Sequence, residues 1–194
     1  MKKFYFLSLI FAFCVACNND IVPKPKGYLR LEYPEAKYIK TEVNNIPFSF
    51  EANKLADKIT SKNLISTTES YAINIEYSEL KGTIYLTYKS VDNNHDNLIA
   101  FLKDAQNFTQ KHTSKADEIK ETEYSNKLNK VYGMYYEVGG NAASQSQFYL
   151  TDSTEHFLTG SLYFYSKPNY DSIFPAAKYL ENDIRHIMET VKWK

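Results

Sequence analysis

Tyr71-Ala72-Ile73-Asn74-Ile75-Glu76-Tyr77, followed after the turn residues Ser78 to Gly82 by Ile84-Tyr85-Leu86-Thr87-Tyr88, is the stretch on which the fold depends. Tyr71, Ile73, Ile75 and Tyr77 fall on one side of an extended chain, and Ala72, Asn74 and Glu76 on the other. Ile84, Leu86 and Tyr88 repeat the pattern. Side chains of a strand point alternately to opposite faces, so this period of two on both sides of a turn predicts a β-hairpin with one buried face. Such a face needs a cover, and the rest of the chain supplies candidates.

Downstream the period changes. Leu98, Phe101, Leu102, Ala105, Phe108 and His112 recur at helical spacing, and Asp92-Asn93-Asn94 offers capping oxygens, predicting a helix that ends near Thr113. A short strand is expected around Ile119 to Tyr124. A three-stranded meander should follow, with strands at Val131–Val138, Ser146–Leu150 and Phe157–Tyr165. Gly139-Gly140-Asn141 and Thr151 to Glu155 supply its turns. Ile173, Ala177, Leu180, Ile184, Ile187 and Val191 then form the apolar stripe of a last helix. A cap at Asp171 or Ser172 would put Pro175 in its first turn, where the missing N–H does little harm. Upstream, Tyr28 to Tyr33 alternates until Pro34 and reads as an edge strand. Phe48 and Phe50 mark another strand, and Asn53 to Thr68 is polar and ambiguous. Strands, helix, strands, helix is the order of an α+β fold: a mostly antiparallel sheet of about six strands with two main helices packed on it. The order is similar to the Mog1/PsbP-like arrangement.

The N-terminus carries a different message. Lys2 and Lys3 precede thirteen mostly apolar residues, Phe4 to Ala16, and then Cys17-Asn18-Asn19-Asp20. A spanning helix needs roughly 20 apolar residues, so this segment reads as a cleaved leader. Val15-Ala16-Cys17 resembles the end of a lipobox, at which a lipid is attached to the cysteine and the leader is cut just before it. Cys14 stands where Leu is more usual. The expected organisation is a signal peptide over residues 1–16, lipidated Cys17 with a tether to residue 26, and one globular domain over 27–194. Pro23 and Pro25 favour an extended tether, and several acyl chains on one cysteine would make the anchor stable.

Composition narrows the function classes. The chain has 23 basic and 23 acidic side chains, and loss of Lys2 and Lys3 with the leader makes the balance −2. That is no dedicated nucleic-acid binder, which would carry a basic stripe. Cys14 leaves with the leader and Cys17 takes the lipid, so the domain can form neither a disulfide nor a thiolate metal site. The 17 Tyr and 12 Phe fit half-buried sheet faces and contact surfaces alike.

Motifs for chemistry are weak. Ser144, Asp152 and His156 could be drawn as a triad, but no Gly-x-Ser-x-Gly elbow surrounds the serine. His95, His112, His156 and His186 are dispersed and lack metal-ligand spacing. The only Gly-Gly pair lies between two strands, so no phosphate cradle opens a helix. Glu121 and Glu123 fit a solvated strand face. No catalytic site, metal or cofactor is expected.

Three stretches resemble the gliding-motility lipoprotein GldD family of the Bacteroidetes. They are Pro25-Lys26-Gly27-Tyr28-Leu29-Arg30-Leu31-Glu32-Tyr33-Pro34, then Gly140-Asn141-Ala142-Ala143-Ser144 continuing through Gln147-Phe148-Tyr149 to Thr151-Asp152-Ser153, and Leu162-Tyr163-Phe164-Tyr165-Ser166-Lys167-Pro168-Asn169-Tyr170-Asp171-Ser172-Ile173. The resemblance implies a non-enzymatic accessory lipoprotein of gliding motility and type IX secretion, with other proteins of that machinery as partners. Cys17 alone inherits a defined role. A contact surface is expected on the Gly139–Gln145 turn and the Tyr165–Asp171 loop, with Asn141, Gln145, Asn169 and Tyr170 as its candidates. Only Asp20 stands where an acidic run would mark a surface-exposed lipoprotein, which favours the periplasm. Two other classes stay open: a glycan- or small-molecule-binding module with an aromatic-lined cleft, and an envelope hydrolase that would need its candidate residues to converge.

Overall fold

The alternation of residues 71–88 is realised as β5 (Ser70–Tyr77) and β6 (Gly82–Ser90) in a computed structural model that describes residues 31–41, 43–111, 116–165 and 170–194. Tyr71, Ile73, Ile75, Tyr77, Ile84, Leu86 and Tyr88 are all buried. Ile73 faces Leu86 and Ile75 faces Ile84 across the ladder, which sets the register through same-face pairs. Lys81 closes the turn with a positive φ of 52°. The ambiguous polar stretch contributes β4 (Lys58–Asn63), an edge strand pairing with β5 and carrying Lys58 and Lys62. Edge lysines discourage further strand addition.

The meander forms as β8 (Val131–Gly140), β9 (Ser144–Thr151) and β10 (His156–Phe164), with β7 (Ala116–Asn126) on its outer edge. Hairpin and meander then merge, because β10 pairs antiparallel with β6 along its whole length, from His156↔Ser90 to Phe164↔Gly82. The result is one seven-stranded antiparallel sheet in the order β4-β5-β6-β10-β9-β8-β7. Two small pairs complete it: β1 (Tyr38–Lys40) with β3 (Glu51–Asn53), and β2 (Phe48–Ser49) with β11 (Lys192–Trp193). The expected strand at Tyr28–Tyr33 is not formed over 31–33, and residues 28–30 lie outside the described ones. Tyr33 instead rests its ring 5.0 Å from that of Tyr179, so packing on a helix replaces strand pairing.

The first helix, α1 (His95–Gln110), is capped by Asn94, whose side chain accepts from the N–H groups of Asp96 and Asn97. It ends three residues before the expected Thr113, and His112 lies outside the described residues. The second, α2 (Tyr170–Thr190), begins earlier than expected, so Pro175 sits in its second turn rather than its first. There Pro175 has no N–H to offer the carbonyl four residues back, yet the buried stripe of Ile173, Ala177, Leu180, Ile184, Ile187 and Val191 holds the helix in place. Leu180, Ile184, Ile187 and Val191 of that stripe cover the hairpin face together with Phe48 and Phe50. The opposite face of the sheet meets α1 through Val91, Leu98, Phe101 and Phe157. The α+β class is therefore observed, with one helix on each face of the sheet.

Candidate functional site

Three places combine chemistry with position: one end of the sheet, the cleft beneath α1, and a buried carboxylate on α2.

At the first, the β8–β9 connection lies beside the strand that leads to Tyr165, since Ser144 pairs with Tyr163. Gly140 takes a φ of +85°, and a Cβ there would come within 2.8 Å of the Asp117 nitrogen, so the turn needs glycine. Asn141 and Ala143 are exposed, whereas Ala142 is buried. Gln145 is only 5 % exposed and donates from Nε2 to the Ala142 carbonyl at 2.7 Å. It braces the turn from within and also lines a shallow hollow beside Ala177 and Lys178. Tyr165 is 66 % exposed, with its hydroxyl 2.6 Å from Thr83 Oγ1. Tyr170 opens α2, while Asn169 and Cys17 lie outside the described residues.

The drawn triad does not assemble. Ser144 is fully buried at one end of the β9–β10 hairpin, donating to the Ser146 carbonyl. His156 opens β10 at the other end, seven strand positions from Tyr163, or about 20 Å at the usual rise. Its Nδ1 is 2.8 Å from the Tyr88 hydroxyl, and its ring stacks on Trp193 at 4.9 Å. Asp152 accepts at Oδ1 from the backbone N–H groups of Thr154, Glu155 and His156. Burial pushes its pKa up, but those donors outweigh burial and hold it below the ordinary carboxylate range. It shapes a turn. His186 meets Glu51 at 2.8 Å and stacks on Tyr38, and among the described residues no three His, Cys, Asp or Glu groups gather as a metal site. Glu121 and Glu123 are exposed on β7.

The cleft lies between the C-terminal half of α1 and the outward face of β6, β10, β9 and β8. Its volume is about 400 Å³, and its walls include Tyr85, Thr87, Phe101, Phe108, Thr159, Ser161 and Tyr163. Two props hold the helix above the sheet: the Phe101 ring, 5.6 Å from that of Phe157, and the Thr109 hydroxyl, which donates to Gln147 Oε1 at 2.9 Å. Gln147 is 2 % exposed, and its Nε2 has no acceptor among the described residues. Lys89 and Asp104 pair at 3.7 Å, and the ammonium lies 4.6 Å above Phe101. The sequence held a signal for this cleft: outward positions 83, 85 and 87 of β6 and 157, 159, 161 and 163 of β10 are Thr, Tyr, Thr, Phe, Thr, Ser and Tyr, and Lys89 is the one charge along these two strand faces. A freely solvated sheet face would carry more charge, and this one is half covered.

The third place secures the first stretch of the described chain. The Asp183 carboxylate, 1 % exposed, accepts from the Tyr38 hydroxyl at 2.7 Å and from Asn53 Nδ2 at 3.1 Å. Burial raises its pKa above the ordinary value, although these bonds oppose the shift. Pro34 adds its carbonyl to the Tyr179 hydroxyl at 3.0 Å. Residues 33–40 are thus fastened along α2.

Together these features define an α+β module built on one antiparallel sheet, with a ligand-sized cleft on the face opposite its long helix. The model of the gliding motility lipoprotein GldD family matches residues 18–193, and the chain belongs to that family. No curated protein and no solved structure matches it, so the similarity to the Mog1/PsbP-like arrangement gains no support from that comparison. Family membership makes this a gliding-motility lipoprotein, lipid-anchored in the cell envelope. Among the described residues no helix is long and apolar enough to cross a membrane.

Proposed function

We propose that the chain serves gliding motility, and the type IX secretion that accompanies it, by holding protein partners at the envelope rather than by catalysis. The observation that carries this reading is the family-like β8–β9 connection lying beside the end of β10 at one end of the sheet, with Asn141, Ala143 and Tyr165 exposed there. Loops fixed by a stiff scaffold are where recognition concentrates. The separation of Ser144 from His156 supports a non-enzymatic role. The lone Asp20 after Cys17 supports a periplasmic orientation, and the balanced charge fits protein rather than nucleic-acid partners.

The test is a crosslinked pull-down of the tagged lipoprotein from cell envelopes, beside Cys17→Ala and an Asn141→Ala, Asn169→Ala, Tyr170→Ala triple variant. Motility or secretion components should be recovered with the unaltered protein and depleted with both variants. Recovery of lipid and cell-wall material alone would sink the proposal.

A further inference from the structure

The cleft beneath α1 is too well walled to be a packing fault. Phe101 on Phe157 and Thr109 on Gln147 hold the helix off the sheet at two separate points, so the space between them is part of the design. At about 400 Å³ it falls within the usual range of small-ligand sites, roughly 300–1,000 Å³.

Its chemistry selects among ligands. The rings of Tyr85 and Tyr163, 5.9 Å apart and edge to face, offer apolar surface with polar rims. Thr87, Thr159 and Ser161 continue the same face along the two strands and bring hydroxyls that both donate and accept. Lys89 and Asp104 neutralise each other, so the cleft has no net charge with which to hold an ion. Gln147 adds a buried carboxamide whose Oε1 is engaged by Thr109, leaving Nε2 as the donor in want of an acceptor. Apolar ring faces, several hydroxyls, one amide donor and no net charge complement a pyranose, which has an apolar C–H face and a rim of hydroxyls.

We propose that this cleft binds a neutral sugar of one or two rings, preferentially an acetamido sugar whose acetyl carbonyl accepts from Gln147. This reading is independent of the protein contacts proposed at the end of the sheet.

Calorimetric titration and thermal melting of the soluble domain with N,N′-diacetylchitobiose, cellobiose, glucose 6-phosphate and an anilinonaphthalene dye test it. The acetylated disaccharide should bind at millimolar concentration and raise the melting temperature, cellobiose should bind more weakly, and the phosphorylated sugar should not bind. Tyr163→Ala, at a half-exposed wall position, should weaken binding about tenfold, a loss of about 1.4 kcal/mol. Thr159→Phe fills the cleft from a partly exposed strand position and should abolish binding, so the test does not depend on disturbing buried Gln147. Binding of the dye alone, tighter binding of the phosphorylated sugar, or sugar binding unchanged in both folded variants would overturn the proposal.

Discussion

At Gly133 and Gly160 the sheet leaves no room for a Cβ, but the obstacles differ in kind. A methyl group on Gly133 would come within 1.9 Å of the Tyr149 carbonyl oxygen, which is backbone. On Gly160 it would meet the Phe148 ring at 2.1 Å, and a ring can turn more readily than a ladder can shift. Gly133→Ala should therefore lower unfolding stability by about 1–3 kcal/mol or more, and Gly160→Ala by less. Urea titrations of the two variants give the order directly, and equal losses would contradict the distinction. Asp183 makes a prediction in pH. Its folded pKa is raised, so the native state binds its proton more tightly than the unfolded chain does. The associated stability is present in acid and is lost as pH climbs from the ordinary carboxylate range through the raised value. Asp183→Asn removes that titration, so the variant should gain stability relative to the unaltered protein as pH rises across this window. Parallel stability curves would refute the shift.

Among the elements, those with a strong period were the legible ones. The hairpin, the meander and the stripe of α2 all stand where Ile73, Leu158 and Leu180 required a buried face. Other features lay beyond periodicity. The polar strand β4 takes its place as an edge beside β5, where few of its side chains need burial. The union of β6 with β10 joins strands separated in the chain by α1, β7, β8 and β9, and nothing in either strand alone specifies its neighbour. The helix starts earlier than Pro175 alone implies, because tertiary burial of Ile173 and Ala177 outweighs the local penalty. The start of α1, by contrast, was written in its capping residue. Asn94→Ala should cost about 1 kcal/mol, since two N–H groups lose their acceptor. Hydrogen exchange should rise first in the opening turn of α1 and leave the sheet protected. Uniform loss of protection would show that helix and sheet unfold as one unit.

For the whole molecule, the candidate site was legible only in part. The stretches that carry the family resemblance could be picked out from their residues, but the place of the β8–β9 connection beside the end of β10 follows from the pairing of Ser144 with Tyr163. Gln145 is a contact candidate as part of a polar segment at an element end, and its role in bracing the turn is visible only in the fold. The cleft required the fold, because its walls come from α1 and four strands. The central claim is that the end bearing Asn141 and the entry to α2 is the working face of this lipoprotein. It is tested most directly by surface spreading of cells carrying the Asn141→Ala, Asn169→Ala, Tyr170→Ala triple variant, compared with cells carrying Ile65→Asn and Leu128→Asn. Ile65 and Leu128 are exposed in turns at the opposite end of the sheet. The account predicts that the triple variant accumulates as a folded, lipidated protein while spreading fails, and that the opposite-end variant spreads normally. Normal spreading by the triple variant would contradict it.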